Sequence, residues 1–152
     1  MRIVVASDHA GLELKQAVAD HVTSLGHSVT DIGTYTSDSV DYPLYGAAAA
    51  RRVAAGEFDR GIVFCGTGLG IGIAANKVRG ARCATCTEPF SAALSRAHND
   101  ANMLALGARV VGPGLALACV DAFLTTDFLG GRHTRRVAEI GQLDNGEELP
   151  LP

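Results

Sequence analysis

The stretch Arg60-Gly61-Ile62-Val63-Phe64-Cys65-Gly66-Thr67-Gly68-Leu69-Gly70-Ile71-Gly72-Ile73-Ala74-Ala75 carries a strand, a glycine turn and a helix in one sweep. The run 60–64 reads as a strand through its apolar residues Ile62-Val63-Phe64. The glycines after it leave backbone N–H groups unshielded at the entry to an Ala/Ile-rich helix, predicted over 70–78. This is the strand-to-helix passage of an open α/β sheet, where ligands collect outside the carboxyl ends of the strands. Successive amides at such a turn form a concave anion nest. Spacing excludes two large ligands. A dinucleotide turn needs G-x-G-x-x-G, but Gly66 and Gly68 lead to Ile71, and Gly68 and Gly70 lead to Ile73; the G-x-x-x-x-G-K-[ST] loop is also absent. A phosphate or an enediolate oxygen fits the nest, and so does a turn with no ligand. Cys65 stands at its mouth, a position that favours a thiolate able to act as base or nucleophile. A buried core thiol is the competing reading.

Outward from this unit, the same alternation repeats. Strands are expected over 2–7, 27–32 and 82–86, with a last one over either 103–106 or 109–111. Helices are expected over 12–25, 42–55, 89–97, 115–123 and 132–140. Short continuous apolar strands alternating with helices imply a parallel sheet covered on both faces. The 152 residues suit one domain, taken as 1–141, with an acidic, proline-bearing tail over 142–152.

Composition removes several function classes. Apolar residues make up 47% and charged residues 19%, too hydrophobic for a disordered chain. The longest uncharged stretch, 61–76, is interrupted by Gly61, Gly66, Gly68, Gly70 and Gly72. A membrane span wants about 18 consecutive apolar residues, so no membrane association is expected. Asp8 and His9 directly follow the first apolar run, which argues against a signal peptide. Net charge is −3, so binding of nucleic acid through a broad basic face is not expected. A cytoplasmic chain keeps its four cysteines reduced. Cys83 and Cys86 form a CxxC, but no second pair is spaced to complete a zinc site. They read as small core residues.

The other strand ends carry most of the remaining chemistry. Asp8-His9 follows the first strand; the carboxylate suits hydroxyl binding or a helix cap, and the imidazole has no capping role. His98-Asn99-Asp100 closes a helix, where a cap is the plain alternative. Arg132 and Arg136, spaced i, i+4 after Gly130-Gly131, make either a phosphate clamp or a solvated basic face.

Taken in order, Asp8-His9-Ala10-Gly11, Asp41-Tyr42-Pro43, Cys65-Gly66-Thr67-Gly68 with Ala74-Ala75-Asn76-Lys77, Glu88-Pro89, His98-Asn99-Asp100-Ala101-Asn102 and Gly130-Gly131-Arg132-His133 resemble type B ribose-5-phosphate isomerase. Galactose-6-phosphate and allose-6-phosphate isomerases are relatives of that family. The resemblance runs from about residue 2 to residue 141. It implies a three-layer α/β/α Rossmann-like domain with a five-stranded parallel sheet. It also implies a homodimer with sites at the subunit interface, a dimer of dimers being the alternative. The implied reaction is aldose–ketose interconversion of a phosphosugar through a cis-enediolate, with no organic cofactor and no metal. By position, Cys65 resembles the base that moves the proton between C1 and C2, Thr67 its support, and His98 the group that opens the sugar ring. Asp8 and Tyr42 match substrate-binding positions. Gly66, Gly68, Gly70 and Asn99 match the donors around the enediolate oxygens, and His9, Arg109, Arg132 and Arg136 the phosphate ligands. One subgroup lacks the cysteine and carries a glutamate base at the position of Ile71; isoleucine takes no proton, which puts this chain in the cysteine subgroup. Phe90 stands where a tyrosine is common. Ribose 5-phosphate is the expected substrate, with a tetrose or hexose phosphate as one alternative and a non-catalytic sugar-phosphate binder as another.

Overall fold

The computed structural model describes residues 1–151. Five strands, β1 (Arg2–Ser7), β2 (Ser28–Asp31), β3 (Arg60–Cys65), β4 (Cys83–Thr85) and β5 (Met103–Gly107), form one sheet in the order β2-β1-β3-β5-β4. Every neighbouring pair is parallel. The six helices are α1 (Leu12–Ser24), α2 (Tyr42–Ala54), α3 (Leu69–Ala75), α4 (Pro89–Asn99), α5 (Pro113–Thr125) and α6 (Arg132–Asp144). The expected three-layer α/β/α architecture is what the chain forms.

Alternation along the strands divides the core in two. Ile3, Val5, Ile62, Phe64, Leu104 and Leu106 face one way, against α1, α4 and α5. Val4, Ala6, Val63, Cys65, Met103 and Ala105 face the other, against α2 and α3. A period of two on strands with both faces covered leaves no polar face, which is why these strands read as unbroken apolar runs. The chain winds outward from β1 to β2, then returns past β1 to β3. The carboxyl ends of β1 and β3 therefore flank a switch point, where the loops depart to opposite faces.

Several boundaries differ from the sequence expectation, three of them with consequences for packing. Helix α3 stops at Ala75 rather than residue 78. Asn76 leaves it to pair in both directions with the Cys83 backbone, donating to the carbonyl at 2.8 Å and accepting the N–H at 2.7 Å. The last strand is Met103–Gly107 and not 109–111, because 103–107 lies in register against Gly61–Cys65. Residues 109–111 fold back instead, Arg109 N–H bonding to the Gly66 carbonyl and Val110 and Val111 to that of Gly107. Helix α6 continues into the expected tail as far as Asp144, whose carboxylate accepts the Gly80 N–H at 2.8 Å. No helix among the described residues is long and apolar enough to cross a membrane. Cys83 and Cys86 are buried, and burial pushes their thiols up to about 12 and about 11, so both stay protonated as core side chains do.

Candidate active site

The turn after β3 is shaped by two glycines. Gly68 has φ +78°, a left-handed conformation, and a Cβ on it would lie 2.9 Å from the Leu106 backbone carbon. A Cβ on Gly70 would lie 2.7 Å from the ring of Tyr42, which covers the first turn of α3 from the start of α2. Within this turn Cys65 is 4% exposed, and its Sγ accepts the Gly68 N–H at 3.1 Å. Thr67 is exposed, and its Oγ1 accepts the Leu69 N–H at 3.3 Å. The Gly68 amide is thus committed to sulfur and the Leu69 amide to Thr67. The following amides, Gly70 among them, belong to the first helical turn, where no carbonyl lies a turn earlier to receive them.

The β1 exit is stitched beside it. Asp8 N–H donates to the Phe64 carbonyl at 3.2 Å. The Asp8 carboxylate caps the following 3-10 turn through Oδ1 alone, accepting from Ala10 N at 2.9 Å and Gly11 N at 3.1 Å. The capping reading of Asp8 therefore holds, and Oδ2 remains for another donor. His9 Nδ1 accepts the Val40 N–H at 3.2 Å. With Ser37, Val111 and Pro113, His9 lines a cavity of about 480 Å³ between the β1 exit and the start of α5. The exposed Arg109 side chain lies over Gly66, its Nη1 3.5 Å from where a Cβ would stand. Asp8, His9, Tyr42, Cys65, Gly66, Thr67, Gly68, Gly70 and Arg109 thus all gather at the carboxyl ends of β1, β3 and β5.

His98, Asn99, Arg132 and Arg136 do not. Helix α4 runs antiparallel to the strands and delivers its last residues to their amino ends. There the Gly61 N–H bonds to the Asn102 carbonyl, whereas Cys65 pairs with Gly107 at the other end of the same strands. Four residues of strand, at about 3.3 Å each, separate the two levels by about 13 Å. Asp100 closes α4 in a left-handed conformation, φ 46°, and is held by Arg96 at 2.8 Å and Arg82 at 3.0 Å. The Leu129 N–H bonds to the Ala97 carbonyl at 3.0 Å, bringing the start of α6 against the end of α4. As a result His98 and His133 stack, ring centroids 4.2 Å apart and planes 6° from parallel. Burial, then His98, then Arg132 and Arg136 hold His133 below the usual histidine range. Arg132 and Arg136 are exposed one helical turn apart on α6, while Arg135 pairs with Glu139 at 2.6 Å.

Two residues that the sequence reading did not single out emerge here. His133 is the ring against which His98 lies, and its place in Gly130-Gly131-Arg132-His133 was the available signal. Lys15 is fully buried, and its position next to Leu14 and three residues before Val18 places it on the core face of α1.

The model of the family described as Ribose/Galactose Isomerase matches residues 3–140. Ribose-5-phosphate isomerase B of Escherichia coli strain K12 is 49% identical over 143 residues, covering 94% of this chain and 96% of its own. The solved structure of Clostridium thermocellum ribose-5-phosphate isomerase B superposes with a TM-score of 0.95 at 54% identity, covering 96% of this chain and 99% of its own. That of Mycoplasma genitalium, with bound ribulose-5-phosphate, gives 0.91 at 39% identity over 95% and 96%. The protein belongs to the ribose/galactose isomerase family.

Proposed function

We propose that this protein is an aldose–ketose isomerase that interconverts ribose 5-phosphate and ribulose 5-phosphate. The observation that carries the reading is Cys65: its sulfur ends β3 at the switch point, accepts the Gly68 N–H, and lies in the turn flanked by the Asp8 loop. Abstraction of a proton beside a carbonyl needs a base there and donors aimed at the oxygen that becomes negative. Cys65 takes the C2 proton of the open-chain aldose. The C–H electrons form the C1–C2 double bond of a cis-enediolate, and the charge collects on the carbonyl oxygen. Passage of the O2 hydroxyl proton to O1 and return of the abstracted proton to C1 complete the ketose, with its carbonyl now at C2. Thr67 supports the base, and the Gly66 and Gly70 amides face the developing charge. With the Gly68 amide on sulfur, its share goes to the base instead. Asp8 Oδ2 and the Tyr42 hydroxyl hold sugar hydroxyls, and His9 and Arg109 hold the phosphate.

The remaining groups lie at the opposite end of the sheet, so the working enzyme is a homodimer with composite sites. The partner's His98 opens the ring, its Asn99 donates to the enediolate, and its Arg132 and Arg136 grip the phosphate. The catalytic domain is 1–141 with α6 carrying on to Asp144, and the enzyme is cytoplasmic. Phosphate at the far end of the sugar supplies binding energy that positions the reacting carbons. The steps use side chains and backbone alone, so EDTA leaves the rate unchanged. The test is turnover across tetrose, pentose and hexose phosphates, with ribose 5-phosphate giving the highest kcat/KM. Preference for a four- or six-carbon sugar overturns the substrate, and tight binding without turnover overturns the enzyme in favour of a binding module.

A further inference from the structure

Lys15 heads the fully buried large side chains of the protein although it carries an ammonium. Its Nζ donates to the Asp31 carboxylate at 2.7 Å and to the Thr34 carbonyl at 2.6 Å, and lies 5.0 Å from the centre of the Tyr35 ring. Asp31 ends β2, and its Oδ1 also accepts the Gly33 N–H at 2.8 Å. Gly33 and Thr34 exchange two backbone bonds with Ser7 at the end of β1: Ser7 N–H to the Gly33 carbonyl at 2.7 Å and Thr34 N–H to the Ser7 carbonyl at 2.8 Å. The ammonium thus ties the exit of β2 to the exit of β1. Beyond this tie the loop 32–41 returns across the strand ends, where the Val40 N–H reaches His9 Nδ1. A ring nitrogen that accepts an N–H bond carries no proton of its own. His9 is therefore the Nε2–H tautomer, with a hydrogen-bond donor on the far edge of the ring.

A well-packed apolar side chain often replaces a buried ion pair at no loss of stability, so stability alone gives little reason for a lysine here. What an ammonium adds is direction, through charged hydrogen bonds to a carboxylate and a carbonyl at one point of the loop. We propose that Lys15 is a positioning residue: through Asp31 and Thr34 it sets the loop 32–41 so that Val40 holds His9 as an Nε2–H donor toward the sugar phosphate. The inference rests on the proposed role of His9 as a phosphate ligand.

The test follows the His9 tautomer by NMR of ¹⁵N-histidine-labelled protein, its signals assigned with His9→Gln, alongside KM and kcat for ribose 5-phosphate. In the wild type His9 gives a single Nε2–H species. Lys15→Met yields a mixture of tautomers and raises KM about 3–10-fold, the worth of one hydrogen bond, with kcat within about twofold. Added to His9→Gln, Lys15→Met raises KM no further, because both changes remove the same contact. A folded Lys15→Met protein that keeps one tautomer, or KM effects that simply multiply, overturns the proposal. Should Lys15→Met fail to fold, Val40→Pro removes the loop N–H that reaches His9, while also fixing φ at residue 40, and must produce the same tautomer mixing and KM rise; an unchanged tautomer there overturns it equally. A wild type without isomerase activity retires the functional reading, and the tautomer comparison still decides the positioning role.

Discussion

The imidazoles of His98 and His133 lie face to face, 4.2 Å between centroids and 6° from parallel, where the end of α4 meets the start of α6. Burial is the first reason that His133 resists protonation; His98, Arg132 and Arg136 add to it. The stack fixes the plane of the His98 ring and keeps a neutral surface against it.

That arrangement has a pH signature. His133 is held below the ordinary histidine value near 6.5, so the unfolded chain takes up this proton more readily than the folded one. The contribution to stability is complete above about pH 6.5 and is lost as pH falls through that value toward that of folded His133. His133→Phe keeps a flat ring and removes the proton. Between about pH 7.5 and about pH 5.5 the wild type should lose more in Tm than His133→Phe does. Equal losses would show that His133 contributes nothing to acid sensitivity.

Cys65→Ala should lower kcat by about 10²–10⁴-fold, the usual contribution of a general base, with sugar-phosphate affinity retained. Isothermal titration with ribose 5-phosphate and a steady-state assay separate the two quantities. More than half of wild-type turnover in this variant removes Cys65 from the mechanism, since Ile71 offers no carboxylate to replace it.

The proposed dimer, which draws Cys65 and His98 of one site from different protomers, makes a complementation prediction. Homodimers of Cys65→Ala and of His98→Ala should each be nearly inactive on the cyclic sugar. Refolded together in equal amounts, half of the dimers are mixed, and each mixed dimer holds one intact pair. Activity should return to about one site in four. A mixture no more active than its components would place both residues in a single protomer's site.

The arginine pair is tested through the phosphate. A charged hydrogen bond is worth roughly 1.5–3 kcal/mol, so Arg132→Ala or Arg136→Ala should raise KM about 10–100-fold. Lysine at either place should rescue in part, retaining charge without the planar fork. On a non-phosphorylated sugar the loss should shrink. A solvated basic face instead predicts changes below about twofold on both substrates.

The strand–turn–helix passage at Cys65 is legible because three independent signals coincide there: the apolar run Ile62-Val63-Phe64, clustered glycines and an Ala/Ile helix. The last strand is not, since 103–106 and 109–111 are both short apolar runs on either side of Gly107. Only pairing with Gly61–Cys65 decides between them, and pairing is a long-range fact. The gathering of Asp8, His9, Tyr42 and Arg109 around Cys65 follows from the rule that sites form at carboxyl ends of parallel strands. His98, Asn99, Arg132 and Arg136 escape that rule because the antiparallel return of α4 delivers them to the other end. Lys15 is hard to read for a simpler reason: a lysine in an amphipathic helix ordinarily faces water, although its spacing from Val18 and Val22 places it inward.

In the proposed dimer each protomer offers one half-site at either end of its sheet. An occupant of that proposed shared site touches both protomers, so ligand binding and subunit association draw on the same contacts. Linkage then requires that a phosphosugar tighten the dimer by the factor by which dimerisation tightens its hold on the phosphosugar. Dilution should therefore lower the activity of each milligram of protein, and saturating substrate should shift that loss to lower protein concentrations.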